Sequence, residues 1–325
     1  MMTENASLIL SLTVLLAFIM DLFGGDPRFL PHPVRWMGRA ITHWEPVFRT
    51  RNLIRGGLAF AIVMVLATWG LAFLLLHLAH GLDPWLGSLL ELLMIYFCLA
   101  TRSLHDAAQK VENDLHHRDL SSARRSLSMI VGRETEGLDR AGVCRATVET
   151  VAENLVDGVI APLVYAVIGG GPLAMAYKMI NTLDSMVGCK NARYREFGMA
   201  AARMDDAANW LPARLTVPLV GLAAGMLNGR WRATLLLARR DGGKHTSPNA
   251  GLPEAAFAGA LAIRLGGPGR YHGRTVNKPW LGAEYGPAGT TDIARARDLM
   301  LLSAVWALLW FWALPWVVCQ GLLPS

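Results

Sequence analysis

The segment from Gly57 to His80 contains no Asp, Glu, Lys or Arg. About 20 such residues are enough to cross a bilayer as a helix. Within hydrocarbon every backbone N–H and C=O must be paired inside the segment, so few folds remain open to this chain. Ala6 to Phe23 and Leu299 to Cys319 also qualify as spans, and Trp85 to Ala100 is slightly short, with Glu91 as its single charge. Two further apolar segments are ambiguous. Val156 to Ala176 is interrupted by Gly169-Gly170-Gly171-Pro172, and Leu211 to Leu227 carries Arg214 and two prolines.

Composition agrees. Hydrophobic residues make up 53% of the 325 residues and charged residues 17%, against about 25% charged in an ordinary soluble domain. The net charge of +6 is compatible with nucleic acid, a membrane surface or an anionic substrate. In a membrane protein basic residues first of all collect in cytoplasmic loops and set orientation, so no nucleic-acid partner is expected. Cys98, Cys144, Cys189 and Cys319 are scattered without a CxxC pair, which argues for structural, reduced thiols. The first apolar run ends in Asp21 and lacks a basic leader, so it reads as a retained helix and not a cleaved signal.

Arg28, Arg35, Arg39, Arg49, Arg51 and Arg55 fall between the first two spans, and none of the next turn's residues is Lys or Arg. The first loop is therefore expected in the cytoplasm. If Val156 to Ala176 crossed fully, the basic stretch from Lys178 to Asn209 would lie on the wrong side. Broken or re-entrant helices near 156–176 and 211–227 resolve that conflict, because irregular backbone is tolerated where it lines a cavity. Amphipathic helices are predicted at Ser103–His117, Ser121–Val131, Leu138–Asp157, Tyr194–Trp210, Arg230–Arg240 and Pro253–Leu265, and Gly266–Gly289 reads as a loop. The fold class is all-α: a polytopic integral membrane protein with about four to six transmembrane or re-entrant helices and amphipathic cytoplasmic helices. Residues 1–325 are expected to form a single membrane-embedded domain.

Polar residues cluster at the span ends. Asp21, Asp26 and His32 flank the first helix, where capping explains them as well as chemistry does. Arg145, Glu149, Glu153 and Asp157 recur at i, i+4 and form one stripe, with Asn154 beside it. Three carboxylates on one stripe require a counter-cation: a metal, arginines or a substrate amine. Lys178, Asn181, Asp184 and Ser185 share a helical face, with Lys190 following, a set suited to magnesium and phosphate. Asp205, Asp206 and Asn209, behind Arg203, can hold Mg2+ through one or two carboxylates. His245-Thr246-Ser247-Pro248-Asn249 leads into a helix with Glu254; such a loop can present N–H groups to an anion, and Ser247 or Asn249 serves equally as a plain cap. There is no GxxxxGKS/T loop, no GxGxxG after a strand and no GxSxG elbow.

Six blocks together resemble one family. They are DLFGGDPRFLPHPVRWMG (21–38), IVGRETEGL (130–138), ATVETVAENLVDGVIAPLVY (146–165), YKMINTLDSMVGCKNARYREFG (177–198), ARMDDAANWLPARLT (202–216) and HTSPNAGLPEAAFAGAL (245–261). They are similar, in consistent order, to the CbiB/CobD proteins of cobalamin biosynthesis. The resemblance implies adenosylcobinamide-phosphate synthase activity. Such a ligase joins a carboxylate of adenosylcobyric acid to 1-aminopropan-2-ol or its O-phosphate, at the expense of ATP. It also implies a bacterial inner-membrane location, with membrane lipid and other enzymes of nucleotide-loop assembly as neighbours.

A carboxylate must be activated before an amine attacks it, and an acyl phosphate made with ATP and Mg2+ would do so. On that reading Asp184, Asp205, Asp206 and Asn209 hold Mg2+. Lys178, Lys190 and Arg133 neutralise phosphate charge; Asn181, Ser185, His245, Ser247 and Asn249 contact the co-substrate; Glu149 or Glu153 takes the amine's proton. The active site is expected as a cytoplasm-facing cavity partly sunk in the bilayer. Two other readings compete: a Mg2+-dependent membrane prenyl- or alcohol-phosphotransferase, whose acid motifs match only in part, and an anion transporter, which should show matched breaks in an internal repeat.

Overall fold

The computed structural model describes residues 2–26, 32–189, 191–271 and 274–321. Helix accounts for 78% of the chain, so the class is all-α. Among the described residues, four helical stretches are long and apolar enough to cross a membrane: Leu53–Leu82, Pro84–His117, Arg140–Val187 and Trp210–Asn228, with Leu8–Gly24 a shorter apolar helix. The chain is a membrane protein. Its fold divides into two compact units, 1–100 with 161–209 and 308–325, and 101–160 with 210–307.

The first unit contains α1 (Met2–Gly24), α2 (Pro33–Phe48), α3 (Leu53–Leu82), α4 (Pro84–Cys98), α8 (Ala161–Val187) and α9 (Met199–Ala208). Asn52 caps α3 by accepting the Arg55 N–H, and Asp83 caps α4 by accepting from Trp85 and Leu86, with Pro84 at the first helical position. Only 22% of the apolar window of α3 is buried, and Leu58, Ile62, Leu66, Trp69 and Phe73 face outward, as lipid contact requires. The expected break is present in α8: Gly169 and Gly170 leave helical geometry, Gly170 at φ +66°. The Gly171 N–H there donates to Glu91 Oε1 of α4 at 3.2 Å. A buried core of Met37, Ile41, Phe60, Met64, Met179, Leu183 and Phe197 locks α2, α3, α8 and the chain before α9 together. Gly57 permits this packing, because a Cβ there would lie 1.8 Å from the Phe197 carbonyl oxygen.

The second unit contains α5 (Thr101–His117), α6 (Leu120–Ser128), α7 (Arg140–Leu155), a π-turn (Val156–Ile160), α10 (Trp210–Asn228), α11 (Trp231–Asp241), α12 (Gly251–Leu261) and the start of α13 (Thr290–Gly321). α10 runs through Pro218 as one helix. The expected span near 299–319 falls within α13, whose later side chains lie outside the described residues.

Three expectations need correction. The 266–289 segment is not merely a loop: β1 (Leu265–Gly266) pairs antiparallel with β4 (Trp280–Leu281), and β2 (Gly269–Tyr271) with β3 (Arg274–Val276). Strands this short hold no alternation to read. The helix expected from Tyr194 begins only at Met199, because the Asn191 side chain accepts from the Arg193 and Tyr194 amides and holds a turn. α2, absent from the sequence reading, is amphipathic and buries Met37, Ile41 and Glu45.

Candidate functional site

Each unit carries a carboxylate cluster of its own. In the first unit α8 supplies Lys178, Asn181, Asp184 and Ser185, and α9 supplies Asp205 and Asp206. Asp205 is half-buried as a residue, yet its Oδ1 is sealed from solvent and lacks a well-aligned hydrogen-bond partner. Its Oδ2 accepts from Asn209 Nδ2 at 3.0 Å, and Asn181 reaches the same carboxylate. Burial first, then the neighbouring Asp184 carboxylate, push the Asp205 carboxyl up to about 7. Asn209 is buried, and its Oδ1 accepts from the Tyr177 hydroxyl at 2.9 Å. Both ends of its amide are therefore engaged, and it orients Asp205. Tyr177 stacks on Tyr165 at 5.0 Å between centroids, and the Tyr165 hydroxyl donates to the Ala208 carbonyl. Ser185 is exposed and donates back to the Asn181 carbonyl. Lys190 lies outside the described residues.

A sealed carboxylate oxygen beside a second acid favours a cation, so Asp184 and Asp205 fit a Mg2+ site of the kind that uses two carboxylates. Among the described residues, Asp184, Asp205 and Asp206 do not form a three-ligand grouping; Glu153, His245 and Glu254 of the second unit do.

In that second cluster the acidic stripe of α7 meets its counter-charges. Glu149 is buried and pairs with Arg133; its Oε1 accepts the Gly266 N–H at 2.7 Å and lies 3.8 Å from Arg145 Nε. Arg145 in turn packs over the Trp280 ring. Of the possible counter-cations, arginines hold Glu149. One turn on, Glu153 lies within 4.8 Å of ligand atoms of His245 and Glu254. Glu254 is 3% exposed. Lys278 Nζ lies 3.4 Å from His245 Nε2. Burial, then Lys278, lower the His245 imidazole to about 4, so the ring is neutral. Asp157 falls in the π-turn, where the i, i+4 register of the stripe is lost.

The loop before α12 is held as a turn, and α12 itself starts without a side-chain cap. Ser247 Oγ accepts from the Asn249 and Ala250 amides at 3.3 Å each, and Asn249 Oδ1 faces Arg214 Nη1 at 3.5 Å. At the first helix, His32 caps α2 through Nδ1, and its Nε2 lies 3.0 Å from Asp26 Oδ1. An open hollow of about 450 Å³ along α5, lined by Asp106, Lys110, Asp114 and His117, contains none of the candidate residues.

Sequence reasoning named Glu254 only as a follower of the loop and missed Lys278 and Tyr177. A lone Lys in a Gly/Pro-rich segment and a Tyr in an apolar helix carry no local signal of their partners.

Fold and site together define an all-α membrane protein with acid–base groups built into its helices. The family model described as CobD/Cbib protein matches residues 14–300, and the chain belongs to that family. It is an enzyme of cobalamin biosynthesis, of the adenosylcobinamide-phosphate synthase class, and its substrate is a corrinoid. The chain is similar to the cobalamin biosynthesis protein CbiB of Salmonella choleraesuis (strain SC-B67), 50% identical over 91% of this chain and 94% of the relative. It is similar to the cobalamin biosynthesis proteins CobD of Klebsiella pneumoniae and Photorhabdus laumondii, each 49% identical over 91% of this chain and 94% of the relative. No solved structure matches it. Family membership sets aside the phosphotransferase and transporter readings.

Proposed function

We propose that the protein joins a side-chain carboxylate of adenosylcobyric acid to 1-aminopropan-2-ol or its O-phosphate, consuming ATP. The γ-phosphoryl group passes to the corrinoid carboxylate, giving an acyl phosphate and ADP. The amine then attacks the acyl carbon, the amide bond forms and phosphate leaves.

The observation that carries the phosphoryl half is the sealed Asp205 Oδ1 beside Asp184. Mg2+, when bound, would neutralise phosphate charge in that step. Asp184 and Asp205 are assigned to hold it, with Asp206 nearby. Asn209, braced by Tyr177, and Asn181 fix the Asp205 carboxylate, and Lys178 adds positive charge on the same helix. Arg133, already paired with Glu149, is assigned to holding that carboxylate. Of the two candidate bases, Glu149 is fully occupied by donors, so Glu153 is assigned the amine's proton. Ser247 and Asn249 shape the turn into α12, with His245 at its start.

The arginine-rich first loop supports a bacterial inner-membrane location with the reactive groups on the cytoplasmic side. A reporter fused near Asn191 that reads periplasmic would overturn that orientation. The reaction is tested with purified protein, adenosylcobyric acid, Mg2+-ATP and each amine in turn, read by mass spectrometry. Amide product with stoichiometric ADP is expected. Product formed without ATP would remove the acyl phosphate, and no product with either amine would remove the whole reading.

A further inference from the structure

Between residues 27 and 82 the chain has six arginines and one acid, Glu45. That acid is buried, and Arg49 and Arg193 pair with it. Arg49 is spent there, and its guanidinium also packs over the Tyr194 and Phe197 rings. Arg39, Arg51 and Arg55 are exposed and, among the described residues, form no ion pair. Such an excess of positive charge fits an anionic partner.

α3 decides the class of partner. Its exposed face runs through Leu58, Ile62, Leu66, Trp69 and Phe73, in steps of three and four residues, and Arg55 heads the same stripe three residues before Leu58. From Arg55 to Leu66 the helix rises about 16 Å, roughly one leaflet of a hydrocarbon core about 30 Å thick. With the stripe against acyl chains, the Arg55 guanidinium stands at headgroup level. Arg51, also exposed, lies one residue before the Asn52 cap of the same helix.

α2 ends beside that region: the Phe48 ring packs on Phe60 of α3 at 5.4 Å between centroids. Its inward face carries Met37, Ile41 and Glu45. Arg35, Arg39 and His43 run two residues out of step, on the outward side, and Trp36, Trp44 and Val47 are exposed beside them. Tryptophan next to basic residues is the composition of a membrane–water interface. A soluble anion would use the arginines and leave the indoles and the α3 stripe without a role.

We propose that α2 and the start of α3 form a binding site for an anionic phospholipid. The headgroup phosphate lies against Arg51 and Arg55, Arg39 adds charge from α2, and an acyl chain follows the stripe from Leu58 to Trp69. Orientation depends only on the summed charge of the first loop; here particular arginines hold one lipid. Phe60 and Met64 of α3 share a core with Met179 and Leu183 of α8, so a lipid held on α3 stabilises the fold of the first unit by binding only its native form.

The test titrates the purified full-length protein, in neutral detergent, with phosphatidylglycerol and separately with phosphatidylcholine, and counts bound lipid by native mass spectrometry. Each arginine near an anionic surface is worth about fivefold in affinity. Arg51→Gln combined with Arg55→Gln should therefore weaken phosphatidylglycerol binding about 25-fold and leave phosphatidylcholine binding where it was. Arg51→Lys combined with Arg55→Lys keeps the charge and should bind nearly as wild type does. The unfolding midpoint of the wild type should rise with phosphatidylglycerol and not with phosphatidylcholine. Equal affinity of the wild type for the two lipids overturns the site, as does unchanged phosphatidylglycerol binding in the glutamine variant. Displacement of phosphatidylglycerol by inorganic phosphate would show a plain anion site and overturn the lipid assignment. If the glutamine variant does not fold, the wild-type comparison of the two lipids decides alone. None of these readouts uses turnover, so they stand apart from the proposed reaction.

Discussion

The Glu149 carboxylate accepts the Gly266 amide proton at 2.7 Å, across 117 residues of chain. Gly266 has φ +76°, and a Cβ there would lie 2.5 Å from the Pro279 carbonyl oxygen. The left-handed glycine aims its N–H at a carboxylate that Arg133 also grips. Glu149 is thus a brace between α7 and the β1–β4 pair. Glu149→Ala removes the acceptor of the Gly266 N–H and the ion-pair partner of Arg133, and should cost about 3–5 kcal/mol of stability. Glu153→Gln should unfold at the wild-type temperature yet lose about 10²–10⁴-fold in turnover. Thermal unfolding in detergent and the amide assay check both, and a Glu149→Ala protein as stable as wild type would sink the distinction.

The Gly-Gly-Gly-Pro break was legible, because glycine and proline in an apolar run have few other uses. Its partner was not. Glu91 is the only charge of its apolar segment, but nothing local says that its carboxylate meets the Gly171 N–H from another helix. Glu91→Leu should leave that N–H unsatisfied in apolar surroundings, at a cost of about 1–3 kcal/mol, while Glu91→Gln retains an acceptor and should cost less. Comparing the two melting temperatures tests the contact, and equal effects would refute it.

The same limit explains the site. The i, i+4 spacing placed Glu149 and Glu153 on one stripe, and local spacing placed Asp184 on a helical face and Asp205 in a separate motif with Asp206 and Asn209. Which stripe member was spoken for depended on Arg133 and Gly266, and which acid was held depended on Asn181 and Asn209 meeting Asp205. Those are tertiary facts. Two- and three-residue strands and the Asn191 turn were equally silent, because neither produces periodicity.

Ala262 ends α12 in the left-handed region at φ 57°. A Cβ is strained there by roughly 1 kcal/mol, and glycine is the usual residue after a helix end. Ala262→Gly should raise the unfolding midpoint by an amount equivalent to about 0.5–1 kcal/mol, less than the strain itself because glycine also loosens the unfolded chain. A lowered midpoint would show that the methyl group is packed well enough to offset the strain.

His245 makes stability depend on pH. Its folded pKa, about 4, lies below the ordinary imidazole value of 6.5, so the unfolded chain binds the extra proton first. The contribution is fully present above pH 6.5 and is lost as pH falls toward 4. It is on the order of 1–3 kcal/mol. The difference in unfolding midpoint between wild type and His245→Gln, followed from pH 7.5 to 4, should shrink steadily across that window; a constant difference would show that the ring titrates alike in the folded and unfolded chain.

Tyr177 tests whether Asn209 acts by orientation. Its hydroxyl donates to Asn209 Oδ1 at 2.9 Å, and Asn209 Nδ2 donates to Asp205 Oδ2 at 3.0 Å. All three groups lie in one chain, so removing the first donor should disturb the last carboxylate without touching it. Tyr177→Phe keeps the ring that stacks on Tyr165 and leaves a buried amide oxygen unsatisfied, at about 1–3 kcal/mol. If Asp205 holds Mg2+, the half-saturating Mg2+ concentration for turnover should rise about tenfold, within the range seen when an outer partner of a metal ligand is lost. The KM for the amine should not move, because that substrate is assigned to Glu153. A Tyr177→Phe enzyme with reduced stability but an unchanged Mg2+ requirement would reduce the chain to packing and leave Asp205 without a metal role.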